Sequence, residues 1–229
     1  VWQMDTFEVI RALQKLGMSL GEIKEYMENR SPERFMSMID GKKRQIDEEI
    51  RRLKNMKRFI LHEEESVRLA MNTALDEPRL VERDREYLLV SDISAGSERK
   101  AAVEIAEHVR MQEKYNGAVG AVGSIYLGED LERGIYDRCV KVYTRLDKKT
   151  VSHRVQNRPE GTYVELYSRG HLWNMEKSYR LITAFAGERG IRLGKIWYED
   201  LMLDELTVKA YEQYIVKVMV PVGNKVINP

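Results

Sequence analysis

The spacing of apolar residues divides the chain into a helical first part and a second part in which strands and helices alternate. From residue 31 to 74 apolar side chains recur at helical intervals, which predicts one helix of roughly 60 Å. Ser31 suits its N-cap and Pro32 its first position. Lys57 and Glu64 interrupt the apolar stripe of this helix. The stripe itself follows a heptad-like repeat and consists of Ile46, Ile50, Leu53, Ile60 and Val67. Such a helix needs a partner.

Two short helices are predicted before the long one. The first covers residues 4–16 and ends at Gly17, and the second starts after a capping box formed by Ser19 and Glu22. Together they hold too few apolar side chains for a core of their own. We therefore expect them to pack on the start of the long helix or on residues outside this chain.

After Pro78 short strand-like runs alternate with helices. The predicted helices cover residues 97–115 and 172–188, and we expect the first to be buried along Ala102, Ile105, Ala106 and Val109. The predicted strands cover residues 86–91, 119–127, 134–146, 162–168, 191–201 and 211–220, with a further short strand at 151–155. The order strand, helix, strand, strand therefore occurs twice.

This recurrence extends to individual residues, because Tyr87 aligns with Tyr163, and Tyr126 with Trp197. Two halves related by a pseudo-twofold axis, with a groove between them, are therefore expected. The predicted fold class is α+β: short helices, a long helix, and a duplicated β-α-β-β domain with an antiparallel sheet. The groove is a natural site for a ligand.

Composition limits the class of protein. The 229 residues, 43% of them apolar, are enough for one large or two small domains. One cysteine, Cys139, excludes an internal disulfide framework, and the chain has neither a secretory signal nor an apolar run of ~18 residues. We expect a soluble cytoplasmic protein without a membrane partner. The net charge of +1 gives no reason to expect nucleic-acid binding.

About the first 75 residues resemble MerR-type transcription regulators. The similarity rests on residues 4–10 and 13–27, which include the pattern Leu-Gly-Met-Ser-Leu-x-Glu-Ile at 16–23. In that family a helix-turn-helix and a wing precede this point, whereas this chain begins at Val1. The resemblance implies that residues 1–30 are a remnant of the DNA-binding domain and that residues 31–75 form a dimerising coiled-coil helix. A homodimer is expected, with Lys57 and Glu64 as candidates for cross-dimer pairing, and promoter DNA is a partner if the preceding element is present.

Residues 79–222 resemble the GyrI-like effector-binding domain, which also follows the coiled coil in multidrug-sensing MerR-type activators; residues 223–229 form a tail. The motifs are residues 159–163 and 169–170, the helix with Tyr179, and residues 196–201 and 214–222. In that family a strand glutamate in an aromatic pocket pairs with cationic, lipophilic ligands, and the matching residue here is Glu199. Leu201 replaces a tyrosine of the pattern and Asp200 an apolar residue, so pocket shape and charge are expected to differ.

A carboxylate enclosed by aromatic rings suits a lipophilic cation, because ring faces attract cations and a desolvated cation requires a negative partner. Strand alternation places Trp197, Glu199 and Leu201 on one face of their strand, and Tyr163 and Tyr167 share a face of theirs. A solvent-facing carboxylate is the alternative for Glu199, and ordinary packing is the alternative for the aromatic residues. The candidate ligand-binding residues are Glu199 with Trp197, Tyr163 and Tyr126 as stacking walls, and Tyr87, Tyr167, Trp173 and Tyr214.

Other chemistry finds little support in the sequence. The four histidines, His62, His108, His153 and His171, have no metal-ligand spacing, and Cys139 is expected to be a buried structural thiol. A phosphate-binding loop and a nucleophile with its base are also missing from the sequence. No cofactor is expected.

The predicted function is a ligand-sensing transcription regulator rather than an enzyme. One alternative is a stand-alone GyrI-like binding protein or hydrolase, with Glu199 as general base. Another is an interaction protein that dimerises through the long helix and has a collapsed groove.

Overall fold

The computed structural model describes residues 2–94, 97–112, 114–115, 118–170 and 175–223. The chain forms two compact units, one up to Met56 and one from Lys57 onwards. Trp173 and most of the predicted tail at 223–229 lie outside the described residues.

The first unit contains α1 (Trp2–Lys15), α2 (Leu20–Glu28) and the beginning of α3 (Pro32–Asn72). The capping box before α2 is present, because Glu22 N donates to Ser19 Oγ and Ser19 N donates to Glu22 Oε2. Leu13, Met18 and Ile23 form a small apolar core against which Met38 of α3 packs. The prediction that the short helices pack on the start of the long helix is confirmed.

The helix α3 begins at Pro32, with Arg34 N donating to Ser31 Oγ, and it ends at Asn72. Four of the five stripe residues, Ile46, Ile50, Leu53 and Ile60, are between 45% and 57% exposed. Val67 is half-buried. An apolar stripe this exposed is a candidate interface.

The second unit is built on one antiparallel sheet, which the described residues form with the order β1-β6-β8-β7-β3-β4-β2-β5. Its helices are α4 (Glu98–Gln112), α5 (Gly128–Glu132) and α6 (Glu176–Glu188). Its strands are β1 (Arg79–Arg83), β2 (Glu86–Asp92), β3 (Ala118–Leu127), β4 (Lys141–Leu146), β5 (Val155–Arg158), β6 (Gly161–Arg169), β7 (Ile196–Leu203) and β8 (Ile215–Pro221).

The predicted duplication is confirmed by the strand order. The first half, β2-α4-β3-β4, and the second half, β6-α6-β7-β8, have the same arrangement and join where β3 pairs with β7. Tyr126 and Trp197, which the repeat makes equivalent, are directly opposite each other in this ladder. The pseudo-twofold axis therefore passes between them. The short strand before each half is exchanged, since β1 pairs with β6 and β5 pairs with β2.

The two faces of the sheet have different coverings. Helix α6 packs on the face that carries Val164, Leu166 and Val218, and α4 lies over the same face in the first half. On the opposite face Ala70 of α3 packs against Tyr167. Residues that are adjacent on one strand thus face α4 or α6 on one side and the end of α3 on the other.

Several predicted strands are shorter than expected. Residues 134–140 lie outside the strand predicted at 134–146, and residues 128–132 form the short helix α5 instead of a loop. The predicted strands at 191–201 and 211–220 begin at Ile196 and Ile215. The strand β1 was not predicted, because Arg79 and Arg83 give it a charged pattern. Both arginines pair with the buried Glu165 on β6, which holds β1 at the edge of the sheet.

The predicted buried face of α4 is wrong. Ala102, Ala106 and Val109 are exposed, whereas His108 is only 1% exposed. Its ring nitrogens lie 2.9 Å from Ser91 Oγ and 3.0 Å from Thr144 Oγ1. These hydrogen bonds satisfy both nitrogens, so a polar residue occupies the core position that apolar periodicity assigned to its neighbours.

A pair of glycine substitutions tests the packing of α3 on the sheet. Gly120 has φ +85° and lies under His62 of α3, so that a Cβ here would be 2.0 Å from His62 Nε2. We expect Gly120→Ala to reduce the free energy of unfolding by about 1–3 kcal/mol, because it adds a clash and backbone strain. Denaturant unfolding measures the change.

Gly187, in α6, is the matched control, because a Cβ there meets nothing within 4 Å. Gly187→Ala is expected to stabilise the protein by up to about 1 kcal/mol through helix propensity. Equal stability of Gly120→Ala and the wild type would contradict the described packing.

Candidate functional site

Glu199 lies in the middle of the sheet and is 0% exposed. Its strand β7 is covered on both edges, by β3 and by β8. The alternative of a solvent-facing carboxylate is therefore wrong. Tyr179 of α6 donates a hydrogen bond to Glu199 Oε1, whereas the buried Oε2 accepts none from the described residues.

Tyr179, which donates to this carboxyl group, packs with three other aromatic rings. The Tyr179 ring lies at the centre, stacked on Tyr136 with 5.7 Å between centroids and edge-on to Trp197 at 5.6 Å. Tyr126 is tilted against Tyr179 at 6.0 Å. The rings of Tyr126, Tyr179 and Trp197 are buried, and Tyr136 is half-buried. We call these four residues, Tyr126, Tyr136, Tyr179 and Trp197, the aromatic cluster.

The electrostatics of the site follow from its burial. Burial raises the pKa of Glu199 to about 8, although the Tyr179 and Tyr126 hydroxyls act in the opposite direction. Burial and the nearby Glu199 raise the pKa of Tyr126 and Tyr179, so both phenols stay protonated. Without a cation beside it, Glu199 is therefore protonated and neutral at neutral pH.

The outer side of the site is formed by the segment between β3 and β4. Tyr136 belongs to the irregular residues 133–140, and Leu131 of α5 packs in the same core. Asp130 of α5 is buried as well, with Oδ2 lacking a described hydrogen-bond partner and Oδ1 3.4 Å from Arg138. Tyr136 is the least buried ring of the cluster and therefore the one nearest to solvent.

The local sequence explains why these side chains meet. Alternation on β7 points Trp197 and Glu199 toward α6, and alternation on β3 points Tyr126 the same way. On α6, Tyr179 shares the buried helix face with Ile182 and Ala186 at three- and four-residue intervals. The polar hydroxyl of Tyr179 thus reaches the polar group of Glu199 inside an apolar layer.

The structure brings only part of the predicted set to Glu199. Trp197 and Tyr126 belong to the aromatic cluster. Tyr163 and Tyr167 lie on the opposite face of the sheet, where Tyr163 OH donates to Pro159 O at 2.7 Å.

Two further predicted residues are distant from Glu199. Tyr87 lies on β2, three strands from β7 and hence about 14 Å away across the sheet. Tyr214 is buried next to Tyr211, and its hydroxyl donates to Glu205. Trp173 lies outside the described residues.

Two members of the aromatic cluster were not among the predicted site residues. Tyr179 carried a signal, because it is a polar-tipped residue on the apolar face of the predicted helix. Tyr136 carried none, because it falls in a region that was predicted as a strand.

The remaining candidate chemistry is limited. Cys139 lies just before β4, half-buried, and its thiol donates to Lys141 O at 3.0 Å, while burial raises its pKa. Among the described residues no group of three or more His, Cys, Asp or Glu could hold a metal ion. None of the described helices combines the length and apolar content needed to cross a bilayer.

Comparison with known proteins identifies the N-terminal part. Residues 4–62 match the family described as MerR, DNA binding. The chain is also 27% identical over 223 residues to the multidrug-efflux transporter 2 regulator of Bacillus subtilis (strain 168), a match that covers 96% of this chain and 81% of that protein.

Two solved structures are similar over much of the chain. The EcmrR–DNA complex, solved by cryo-EM, has 15% identity and a TM-score of 0.48, covering 96% of this chain and 83% of that one. A hydrolase from Listeria innocua has 12% identity and a TM-score of 0.45, covering 67% of this chain and 95% of that one.

The match at residues 4–62 confirms the resemblance to MerR-type transcription regulators that the sequence predicts for the N-terminal part.

The raised pKa of Glu199 predicts how stability depends on pH. The pKa is about 8 in the folded chain, against an ordinary value of 4.5. The folded state therefore holds the proton more tightly, so the stability contribution is fully present below pH 4.5 and is lost as pH rises toward 8. Glu199→Gln should remove this loss, which is on the order of a few kcal/mol.

Denaturant unfolding between pH 5 and 8.5 checks this expectation. The control is Glu160→Gln, since the side chain of Glu160 is 66% exposed. The control should follow the wild type. If wild type and Glu199→Gln show the same pH dependence, Glu199 does not titrate as described.

Proposed function

We propose that the chain senses lipophilic cations at Glu199 and the aromatic cluster. The carrying observation is the buried Glu199 Oε2 without a hydrogen-bond partner. A buried acceptor left unsatisfied costs about 1–3 kcal/mol, so it is retained where a function requires it. A cation with an apolar surface would supply the missing partner.

The aromatic cluster suits the apolar part of such a ligand. Ring faces attract a cation by about 2 kcal/mol or more when both are desolvated. Trp197 and Tyr179 meet edge-to-face, so the two rings offer surfaces at nearly right angles. Tyr136 closes the cluster from outside, and its displacement would open the space that a ligand needs.

Protonation of Glu199 makes this site selective for charge. A neutral ligand leaves the proton in place, whereas a cation replaces it and converts Glu199 to its carboxylate. The same exchange keeps the empty site free of a buried, uncompensated charge. Ligand charge is thus recognised through release of a proton.

We expect the regulator to act as a homodimer in the cytoplasm, with promoter DNA as its second partner. The apolar stripe of α3 supports the dimer, because four of its five residues are exposed and the same helix of a second copy would bury them. An enzyme is not expected, because the thiol that packs against the same core, Cys139, has its pKa raised by burial and is therefore a poor nucleophile.

A binding measurement tests the proposed ligand class. Tetraphenylphosphonium is a permanent lipophilic cation, which would compete with the proton of Glu199. Its affinity for the wild type should therefore increase almost tenfold for each unit by which the pH is raised, up to about pH 8. At pH 8 Glu199→Gln should weaken binding about tenfold to a hundredfold, and because the variant has no pH dependence its difference from the wild type should shrink toward pH 6. Isothermal titration calorimetry at pH 6, 7 and 8 measures both effects.

Tyr163→Phe is the control variant, because Tyr163 lies on the other face of the sheet, and it should bind like the wild type. Unchanged binding by Glu199→Gln would refute the role of the carboxylate. To separate a sensor from a hydrolase, a hydrolysable cationic ester is incubated with the protein and recovered. Recovery of the ester intact is expected, and turnover that Glu199→Gln abolishes would favour the enzyme.

The dimer has its own test. Ile50→Glu with Leu53→Glu places two charges in the exposed stripe, and we expect a monomer at micromolar concentration by size-exclusion chromatography with light scattering. Arg51→Glu, at an exposed position outside the stripe, should remain dimeric. A monomeric wild type, or a dimeric double variant, would contradict dimerisation through this stripe.

A further inference from the structure

Glu199 has a charged neighbour that faces the opposite side of the sheet. Asp200 Oδ1 accepts a hydrogen bond from Tyr143 OH at 2.5 Å, and its Oδ2 lies 2.7 Å from Lys217 Nζ. Burial alone would raise the pKa of Asp200, but Lys217 and Arg158 hold it well below its usual range. Two consecutive carboxyl groups on β7 therefore differ in charge: Glu199 is neutral and Asp200 is ionised.

Tyr143 connects β7 to a more distant strand. It belongs to β4, and β3 lies between β4 and β7. The ring crosses β3 at Gly123, where a Cβ would be 2.5 Å from Tyr143 Cζ and 2.8 Å from Glu199 O. Tyr143 OH is also 3.4 Å from Glu199 O. The Tyr143 hydroxyl thus contacts both the backbone of Glu199 and the side chain of Asp200.

From Tyr143 a continuous set of polar contacts reaches α3. Arg158 donates to Tyr143 OH at 3.4 Å and also to Glu86. Arg145 donates to Glu86 Oε1 at 3.3 Å and to His62 Nδ1 at 2.7 Å. His62 belongs to α3.

We call this set of residues the coupling network: Asp200, Lys217, Tyr143, Arg158, Glu86, Arg145 and His62.

The network has room to rearrange. A cavity of about 60 Å³ borders His62, Arg145, Asp200 and Lys217. Asp200, Arg158, Glu86 and Arg145 each have two partners within the set, so a shift of one side chain changes the geometry of the next.

We propose that the coupling network transmits the occupancy of the Glu199 site to α3. The identity of the ligand rests on the proposed function, whereas the coupling itself does not. A cation at Glu199 would place a charge pair behind Asp200 and shift β7, so that Asp200 and Tyr143 adjust together. The contact between Arg145 and His62 then changes, and with it the packing of α3, the helix that carries the exposed apolar stripe. Such coupling requires a different free energy for the two arrangements.

A second contact joins α3 to the sheet domain outside the network and provides a control. Arg58 of α3 donates to Asp147, which follows β4, at 2.5 Å. Asp147→Asn weakens this ion pair and leaves the contacts described for the network unchanged.

A double-mutant cycle tests the coupling without any ligand. Glu199→Gln and His62→Leu, made singly and together, are compared by denaturant unfolding at pH 9, where Glu199 of the wild type is mostly ionised. Distant residues without shared partners are usually additive to within about twofold in the unfolding equilibrium constant. For Glu199→Gln combined with His62→Leu, the unfolding equilibrium constant should differ more than about fivefold from the value that additive effects would give. For Glu199→Gln combined with Asp147→Asn, the effects should be additive. Should His62→Leu not fold, His62→Asn replaces it.

Additivity of Glu199 with His62 within about twofold would overturn the proposal. Non-additivity of equal size in the Asp147 cycle would also overturn it, because the coupling would then not follow the network.

Hydrogen exchange tests the same coupling with ligand. Tetraphenylphosphonium should change the exchange rates of amides 57–72 at least about fivefold in the wild type and in Asp147→Asn. In His62→Leu the change should fall below about twofold, while the binding affinity stays within about threefold of the wild type. An unaltered response in His62→Leu would overturn the network. If the wild type does not bind the cation, the proposed function fails and the mutant cycle alone decides the coupling.

Discussion

Inside the sheet domain the Glu199 carboxyl group accepts one hydrogen bond, from Tyr179, and is otherwise enclosed by aromatic rings. Ionising it there requires either solvent or a cation, and the described residues around it supply neither. β3 and β8 cover the edges of β7, and α6 covers the face that carries Glu199, so the carboxyl group is buried. The aromatic cluster, the raised pKa and the unsatisfied Oε2 all follow from placing one acidic residue at the centre of a covered sheet.

The adjacent Asp200 shows how strongly surroundings decide the charge of a carboxyl group. It lies one residue further along the same strand, yet it has Lys217 and Arg158 near it and stays ionised. The pleat of the strand separates the two groups, one toward α6 and one toward α3. A sheet with different coverings on its two faces can therefore hold a binding site on one side and a signalling contact on the other.

Sequence patterns predicted the parts of this structure that local physics decides. The capping box at Ser19, the extent of α3 and the duplication were all visible, because they depend on neighbouring residues or on repetition. Long-range polar contacts were not visible. His108 occupies a core position through Ser91 and Thr144, and β1 is held by the pairing of Glu165 with two arginines.

The candidate site was predictable to a similar degree. Alternation on β7 correctly grouped Trp197 with Glu199. Alternation shows which residues of one strand share a face, but it does not show which residues of a second strand lie on that same face of the sheet. Tyr163 was therefore grouped with Glu199 although it lies across the sheet. The partners that matter most, Tyr179 and Tyr136, come from a helix and an irregular segment whose packing depends on the completed fold.

The most direct test of this account is an NMR titration of the Glu199 carboxyl carbon, with and without tetraphenylphosphonium. In the empty protein the account predicts a pKa of about 8, and a large decrease when the cation is bound, since the cation replaces the proton. A pKa near 4.5 in the empty protein, or a raised pKa that the cation leaves unchanged, would contradict it.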